Sequence, residues 1–281
     1  LLSCNRLNSM STVDLSEEGN SGRVRSPEGE RNHTLLMIDD EENGSLVVDT
    51  IRPAPVFQLK KKLLVLDLNG ILVDVICPPP KDFKSDINIA RRAIFRRPFY
   101  LDFLKFCLER FEVGIWSSRA KKNVVRIVDY LFGDMKQKLL FCWDSSYCTK
   151  SPFRTLENMH KTMVFKDLRS LWEKHDPELP WEIGYFDESN TLLIDDSPYK
   201  ALLNPDHTGI FPYPFQFQQL NDDGLGEGGE IRLYLQELAG ADSIPDFVAA
   251  NPFGQAAISD KSATWEFYRQ AVISVRPTQQ V

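Results

Sequence analysis

At 281 residues, with 42% hydrophobic side chains and five Trp, the chain can hold one sizeable domain with tails, or two small domains. Its formal net charge of −7 gives no reason to expect broad nucleic-acid or acidic-membrane binding. Five cysteines (4, 77, 107, 142 and 148) form no CxxC pair, which fits a reducing compartment better than a secreted disulfide scaffold, and no run of about 18 apolar residues offers a membrane span. The sequence opens on Leu1 rather than Met, as a fragment or an over-extended gene model would, and Met10 is a candidate start. Its acid-rich beginning lacks the Arg-rich amphipathic pattern of a transit peptide.

Residues 1–58 are rich in Ser, Asn, Gly and acids, with Asp39-Asp40-Glu41-Glu42 as a charge run. Such a composition buries too little apolar surface to offset chain entropy, so a disordered acidic leader is expected. Leu35-Leu36-Met37-Ile38 is its one apolar spot and reads as incidental rather than as a docking segment.

Leu63 to Leu68 opens the domain. Four apolar residues run into Asp67, and Asn69-Gly70 marks the exit from a strand buried on both faces. Cys77-Pro78-Pro79-Pro80 begins a loop, and Ile87 to Phe95 has the mixed β character of a small hairpin or flap. Arg96-Arg97-Pro98 leads into a helix with Phe99, Phe103, Phe106 and Cys107 at helical spacing. Phe111 to Trp116 is a second strand, ending at Ser117-Ser118-Arg119. A helix follows from Lys121 to Phe132, with Val124, Val125, Val128 and Leu131 on its apolar face and Gly133 as its stop. Leu139 to Trp143 is a third strand, and Asp144 to Lys161 reads as a polar, irregular insertion. Met163-Val164-Phe165 leads to Lys166-Asp167-Leu168 and a helix through Trp172. Asn190 to Ile194 is a further strand, ending at Asp195-Asp196-Ser197-Pro198, and a short helix carries Ala201-Leu202-Leu203. Gly209 to Phe211 is a last parallel strand. Asn221 to Gly229 reads as a flexible Gly- and Asp-rich loop, and Glu230 to Leu238 as a helix with Ile231, Leu235 and Leu238 inward. Past residue 250 the pattern weakens, with one possible helix from Trp265 to Ile273. The expected division is a leader (1–58), a domain (59–250) and a tail (251–281).

Strands alternating with helices mean a parallel sheet with crossover helices, an α/β fold. The carboxyl ends of such strands meet at one edge, where open α/β sheets place ligands. Asp67 and Asn69, Ser117, Lys166, and Asp195 with Asp196 all fall at strand ends. Carboxylates suit a hard cation such as Mg²⁺, and a lysine with that cation can neutralise a phosphoryl group that a neighbouring Asp attacks.

The order Asp-x-Asn-Gly-Ile-Leu, Trp-Ser-Ser, Lys-Asp-Leu, Asp-Asp-Ser-Pro resembles the haloacid dehalogenase superfamily. More narrowly it resembles the FCP/SCP-type domain of RNA polymerase II C-terminal-domain phosphatases and NLI-interacting-factor-like proteins, over roughly Leu63 to Phe247. That resemblance implies a Rossmann-like parallel sheet flanked by helices, with a small cap inserted between the second and third motifs. It implies Asp67 as the nucleophile that forms an aspartyl phosphate. Asp67, the main-chain carbonyl of Asn69, and Asp196 become Mg²⁺ ligands. Ser117 becomes a phosphate contact, Lys166 the charge partner of Asp67 and phosphate, and Asp195 the group orienting Lys166 or a metal-bound water. Ser118 and Arg119 are candidate substrate contacts, and the implied partners are phosphorylated or acidic protein segments.

One departure matters. The family has an acid where this chain has Asn69, and an amide neither gives a proton at neutral pH nor serves as base. Loss of general acid–base help typically costs about 10²–10⁴-fold. Gly70 also replaces the usual acidic or polar residue. Two functions remain open: a Mg²⁺-dependent protein serine/threonine phosphatase that is slow, or a pseudophosphatase used as a binding module. The mitochondrial inner-membrane presequence-translocase receptor is a family relative of the second kind, although such receptors carry a membrane helix before the domain and none is visible here. A nuclear or cytosolic location is the simple expectation and a mitochondrial one its rival.

Blander readings stand beside these. Ser117 and Ser118 could cap the following helix, and Asp195 or Asp196 the next one. Arg96, Arg97 and Arg119 read as solvated surface groups, with a phosphopeptide grip as the alternative. Cys142, Cys148 and His160 fit no standard zinc spacing. The aromatic run Phe211 to Phe217 reads as packing against the sheet rather than as a partner groove.

Overall fold

The computed structural model describes residues 60–276. The expected acidic leader, with its apolar spot at residues 35–38, lies outside the described residues.

The first strand, β1 (Leu63–Leu66), is wholly buried. Its side chains alternate between two layers: Leu64 and Leu66 enter one apolar cluster, Leu63 and Val65 another. A continuous apolar run is what a strand covered on both faces requires. After the turn at Asn69-Gly70, β2 (Val73–Ile76) pairs antiparallel with β4 (Arg92–Arg96), which also pairs with β3 (Ile87–Ile89). The hairpin expected at Ile87 to Phe95 is therefore part of a three-stranded flap whose first strand the sequence reading missed.

Helix α1 (Tyr100–Arg110) buries Phe103, Leu104, Phe106 and Cys107. Phe99 does not join that face: it stands at the N-cap with φ 60° and is 52% exposed. Strand β5 (Glu112–Trp116) and helix α2 (Lys121–Phe132) follow. Ile127 takes the inward place expected for Val125, which is only half-buried. Then come β6 (Phe141–Trp143), β7 (Thr149–Arg154) and β8 (Thr162–Phe165). The segment expected to be irregular thus contains a strand, which pairs antiparallel with β8. Its inward positions alternate through Thr149, Ser151 and Phe153, and two polar residues among the three hid the period.

A single turn, α3 (Arg169–Trp172), leads into an irregular stretch that buries Leu179, Trp181 and Phe186 over the Leu63 and Val65 face. Strands β9 (Thr191–Ile194) and β10 (Gly209–Ile210) complete a five-stranded parallel sheet of order β10-β9-β1-β5-β6. Helices α4 (Glu230–Ala239) and α5 (Ile244–Ala250) pack with α1 and α2 on the other face. The last helix, α6 (Trp265–Ile273), places Tyr268, Ala271 and Val272 against Met163, Phe165, Tyr199 and Leu203.

The Gly-rich loop is not a loose excursion. Gly224 and Gly226 are buried, and a Cβ on Gly224 would lie 2.8 Å from Arg97 Nη2. Arg97 is itself buried and donates to both Asp222 carboxylate oxygens at 2.7 and 2.8 Å. Neither surface solvation nor a phosphopeptide grip describes it; it is an internal tie between the flap and this loop. Arg96 pairs with Asp86 at 2.8 Å near the surface. In the aromatic run, Phe211 and Phe215 are buried and Phe217 stacks on Phe95 with centroids 4.2 Å apart. Among the described residues no helix is long and apolar enough to cross a membrane.

Candidate active site

The parallel register decides what meets at the sheet edge. Leu66 is level with Ile115 of β5 and with Ile194 of β9, so Asp67, Trp116 and Asp195 leave their strands side by side. The Asp67 amide donates to the Ile194 carbonyl at 2.9 Å, holding the strand pair together up to the acidic residue. Asp67 is 2% exposed, and a carboxylate so buried needs compensation. It has two cations: Lys166 Nζ lies 3.3 Å from Oδ1 and Lys200 Nζ 3.2 Å from Oδ2. Asp195, fully buried, accepts from Lys166 at 2.5 Å, from Lys200 at 2.7 Å and from the Ser197 amide at 2.9 Å. Asp196 accepts from Ser197 Oγ at 2.7 Å and stands 3.6 Å from the Lys200 ammonium.

The charges set the protonation states. Burial pushes the Asp67 carboxyl up, but Lys166 and Lys200 more than offset it and hold the group well below the usual carboxylate range. Burial also raises Asp196; Lys200 opposes, Asp195 and Asp67 add to the rise, and the carboxyl is pushed up to about 6. Burial disfavours the charged Lys200, yet the three carboxylates around it raise its pKa well above the ordinary value.

Lys166 reaches this cluster by a route the sequence did not suggest. Its strand, β8, belongs to the antiparallel pair with β7 and not to the parallel sheet. What aims it is a local frame: the Lys166 amide donates to the Lys200 carbonyl at 2.8 Å, Asn204 Nδ2 donates to the Lys166 carbonyl at 2.9 Å, and Asn204 Oδ1 accepts from the Leu168 amide at 2.8 Å.

On the other flank, Asn69 Oδ1 accepts from the Val75 amide at 3.0 Å and from Arg119 Nη2 at 3.1 Å. Ser117 is buried, its Oγ accepting from the Arg119 amide at 3.4 Å. Helix α2 has Ala120 at its N-cap and no side-chain capping bond, so neither Ser117 nor Ser118 serves as that cap. Arg119 Nε is buried without a hydrogen-bond partner, while Ser118 lies half-buried between its two neighbours. Gly70 has φ +81°, and a Cβ there would collide with Asp196 Oδ2. The turn after β1 thus needs glycine twice, for its backbone and for the Asp196 carboxylate lying against it.

Asp67, Asp195 and Asp196 can each offer a carboxylate oxygen within 4.8 Å of the others. Asp67 Oδ1 is buried and receives no hydrogen bond; Lys166 at 3.3 Å neutralises it by charge without donating to it. Hard oxygen donors with one lone-pair site open suit Mg²⁺, which takes few protein ligands and keeps waters, so the residues present fit that ion.

The family model described as "NLI interacting factor-like phosphatase" matches residues 62–245. The chain belongs to this family. It is 26% identical over 206 residues to an uncharacterized FCP1 homology domain-containing protein of Schizosaccharomyces pombe, covering 72% of this chain and 80% of that one. It is 27% identical over 191 residues to the ubiquitin-like domain-containing CTD phosphatase 1 of Homo sapiens, and 26% over 190 residues to that of Xenopus laevis. The match covers 66% of this chain but 52% of each of these CTD phosphatases, so the chain spans about half their length. Among solved structures, the fission yeast RNA polymerase II CTD phosphatase Fcp1 overlaps with a TM-score of 0.39 and 15% identity, over 76% of this chain and 62% of that one.

In this NLI interacting factor-like domain, sequence reasoning found Asp67, Lys166, Asp195 and Asp196, which do meet, and missed Lys200. The missed lysine lies in Tyr-Lys-Ala-Leu-Leu, where a lone cation beside apolar residues reads as a solvated group. The segment is instead a 3₁₀ turn (Pro198–Ala201) that buries the side chain. Its only cue was position, four residues after Asp196.

Proposed function

We propose that the domain is a Mg²⁺-dependent protein serine/threonine phosphatase that works through an aspartyl phosphate on Asp67 and is slow because Asn69 stands where an acid–base residue is needed. The observation behind this is the Asp67 carboxylate: buried, ionised, flanked by two ammonium groups, and at the end of the central strand. An anionic carboxylate placed so is a nucleophile, and the lysines offset the charge of an incoming phosphate dianion.

In the first step an Asp67 oxygen forms a bond to phosphorus as the P–O bond to the seryl or threonyl oxygen breaks. Lys166 keeps charge balance on the nucleophile, with Asp195 fixing its ammonium. Ser117 Oγ and the buried, unpartnered Arg119 Nε are the donors for the non-bridging oxygens. Asp67, the Asn69 carbonyl and Asp196 are the residues to hold Mg²⁺, which supplies Lewis-acid stabilisation of the phosphoryl charge. The leaving alkoxide must take its proton from water, since Asn69 Oδ1 is engaged by two donors and its NH₂ is no acid. In the second step water attacks the aspartyl phosphate, again without a base at residue 69. Phosphorylated protein segments as partners, and a nuclear or cytosolic location, belong to the same proposal.

The same feature of Asn69 favours a second reading, in which the pocket holds a phosphorylated or acidic segment without turnover. Hydrolysis of p-nitrophenyl phosphate separates the two. A phosphatase loses its Mg²⁺-dependent activity in Asp67→Asn and gains about 10²-fold or more in Asn69→Asp. An inactive wild type whose activity appears only in Asn69→Asp supports the binding module. Ordinary wild-type rates on phosphoserine peptides contradict the role given to Asn69.

A further inference from the structure

So far Lys200 has served only to offset charge beside Lys166, yet its ammonium faces all three carboxylates of the acidic cluster. Its ammonium donates to Asp195 Oδ1 at 2.7 Å and to Asp67 Oδ2 at 3.2 Å, and faces Asp196 Oδ1 at 3.6 Å. Two carboxylates accept a hydrogen bond from this one ammonium, and the third meets it through charge alone. Two of these groups, Asp67 and Asp196, are the carboxylates assigned above to the divalent cation.

We propose that Lys200 is a tethered cation that competes with the divalent metal for the Asp67 and Asp196 carboxylates, so that the wild-type site binds metal weakly and stays charge-compensated without it. The inference rests on the proposed metal role of those two residues.

The site is built to keep the lysine there. Pro198–Ala201 forms one 3₁₀ turn, the Lys200 amide donates to the Ser197 carbonyl at 3.0 Å, and its carbonyl accepts the Lys166 amide at 2.8 Å. Swinging the ammonium out would leave Asp195 Oδ1 with the Ser197 amide alone and remove one of the two cations beside Asp67. The charge count points the same way. Three carboxylates face two lysines, leaving one net negative charge in place of the two that a lysine-free second position would offer to a dication. Gly70 belongs to the same arrangement. Its missing Cβ lets the Asp196 carboxylate settle against the β1 turn, beside the lysine. The resulting ligand class is a phosphoryl oxyanion met by two fixed ammonium groups with a loosely held metal.

The test is calorimetric titration of the full chain with Mn²⁺, comparing wild type with Lys200→Met and Lys200→Gln. Met keeps the length and apolar stem; Gln keeps a donor without charge. Both variants are expected to bind Mn²⁺ about tenfold or more tightly than wild type, because a like charge in the site has gone. Equal or weaker binding in the variants, with wild type still binding, overturns the role of Lys200 and leaves the metal reading intact. No Mn²⁺ binding by any of the three overturns both. Should a variant be unfolded alone, Mn²⁺ is expected to restore its circular dichroism at concentrations that leave the wild-type melting temperature unmoved, and failure to restore it contradicts the proposal.

Discussion

Gly70 shows how a single residue can be misjudged from sequence. Read along the chain, it replaces an acidic or polar residue and looks like a further loss beside Asn69. In space its φ of +81° and the Asp196 oxygen in the place of a Cβ make it a requirement. Gly70→Ala is expected to destabilise the fold by about 1–3 kcal/mol through backbone strain and the displaced carboxylate. Urea unfolding reads this directly, and a wild-type midpoint would refute it. At this scale Asp67 and Asp195 were legible because each ends an apolar run that reads as a buried strand, and Asp196 because it follows Asp195. Lys200 was not: its partner Asp67 lies 133 positions away, and no local pattern marks a lysine that folding will bury. The role of Asn69 rests on residue type alone, since the amide of residue 69 engages Val75 and Arg119 through its oxygen.

Among elements, the central parallel sheet follows from apolar runs that alternate between two covered faces, and its strands were readable to within two residues at their ends. In the small antiparallel sheets the hairpin of β3 and β4 was legible, but the strands β2 and β7 were not. Val73–Ile76 is short and contains Asp74, and Thr149–Arg154 turns polar side chains inward, so neither presents the usual period. The Gly-rich loop was misread for a related reason: glycine marks both looseness and close approach, and only the buried Arg97 guanidinium against Gly224 distinguishes them. Arg97 and Asp222 form a nearly buried pair. Removing one partner leaves an uncompensated charge, so Arg97→Met is expected to cost about 3–5 kcal/mol in urea unfolding. A loss below about 1 kcal/mol, the worth of an exposed pair, would mean the loop is not tied there.

At the level of the whole described unit, the segments that carry both lysines pack against a helix beyond the family match. Helix α6 lies past residue 245 and places Tyr268 in one apolar cluster with Met163, Phe165 and Tyr199, of which Phe165 precedes Lys166 and Tyr199 precedes Lys200. Tyr268 and Tyr199 are nearly parallel, with centroids 6.3 Å apart. Tyr268→Ala is expected to lower stability by about 3 kcal/mol, as large aromatic truncations in cores do. An unchanged unfolding midpoint would show that α6 does not support the lysine turns.

The decisive measurement is peptide mass spectrometry of the wild-type chain after a brief incubation with p-nitrophenyl phosphate and Mg²⁺. An aryl leaving group needs no acid, whereas hydrolysis of the aspartyl phosphate needs a base that Asn69 cannot be. The expected result is therefore a phosphoryl group accumulating on Asp67, and its rapid loss in Asn69→Asp. A phosphoryl group on any other residue, or turnover in the wild type with Asp67 never modified, would contradict the assignment of Asp67 as nucleophile.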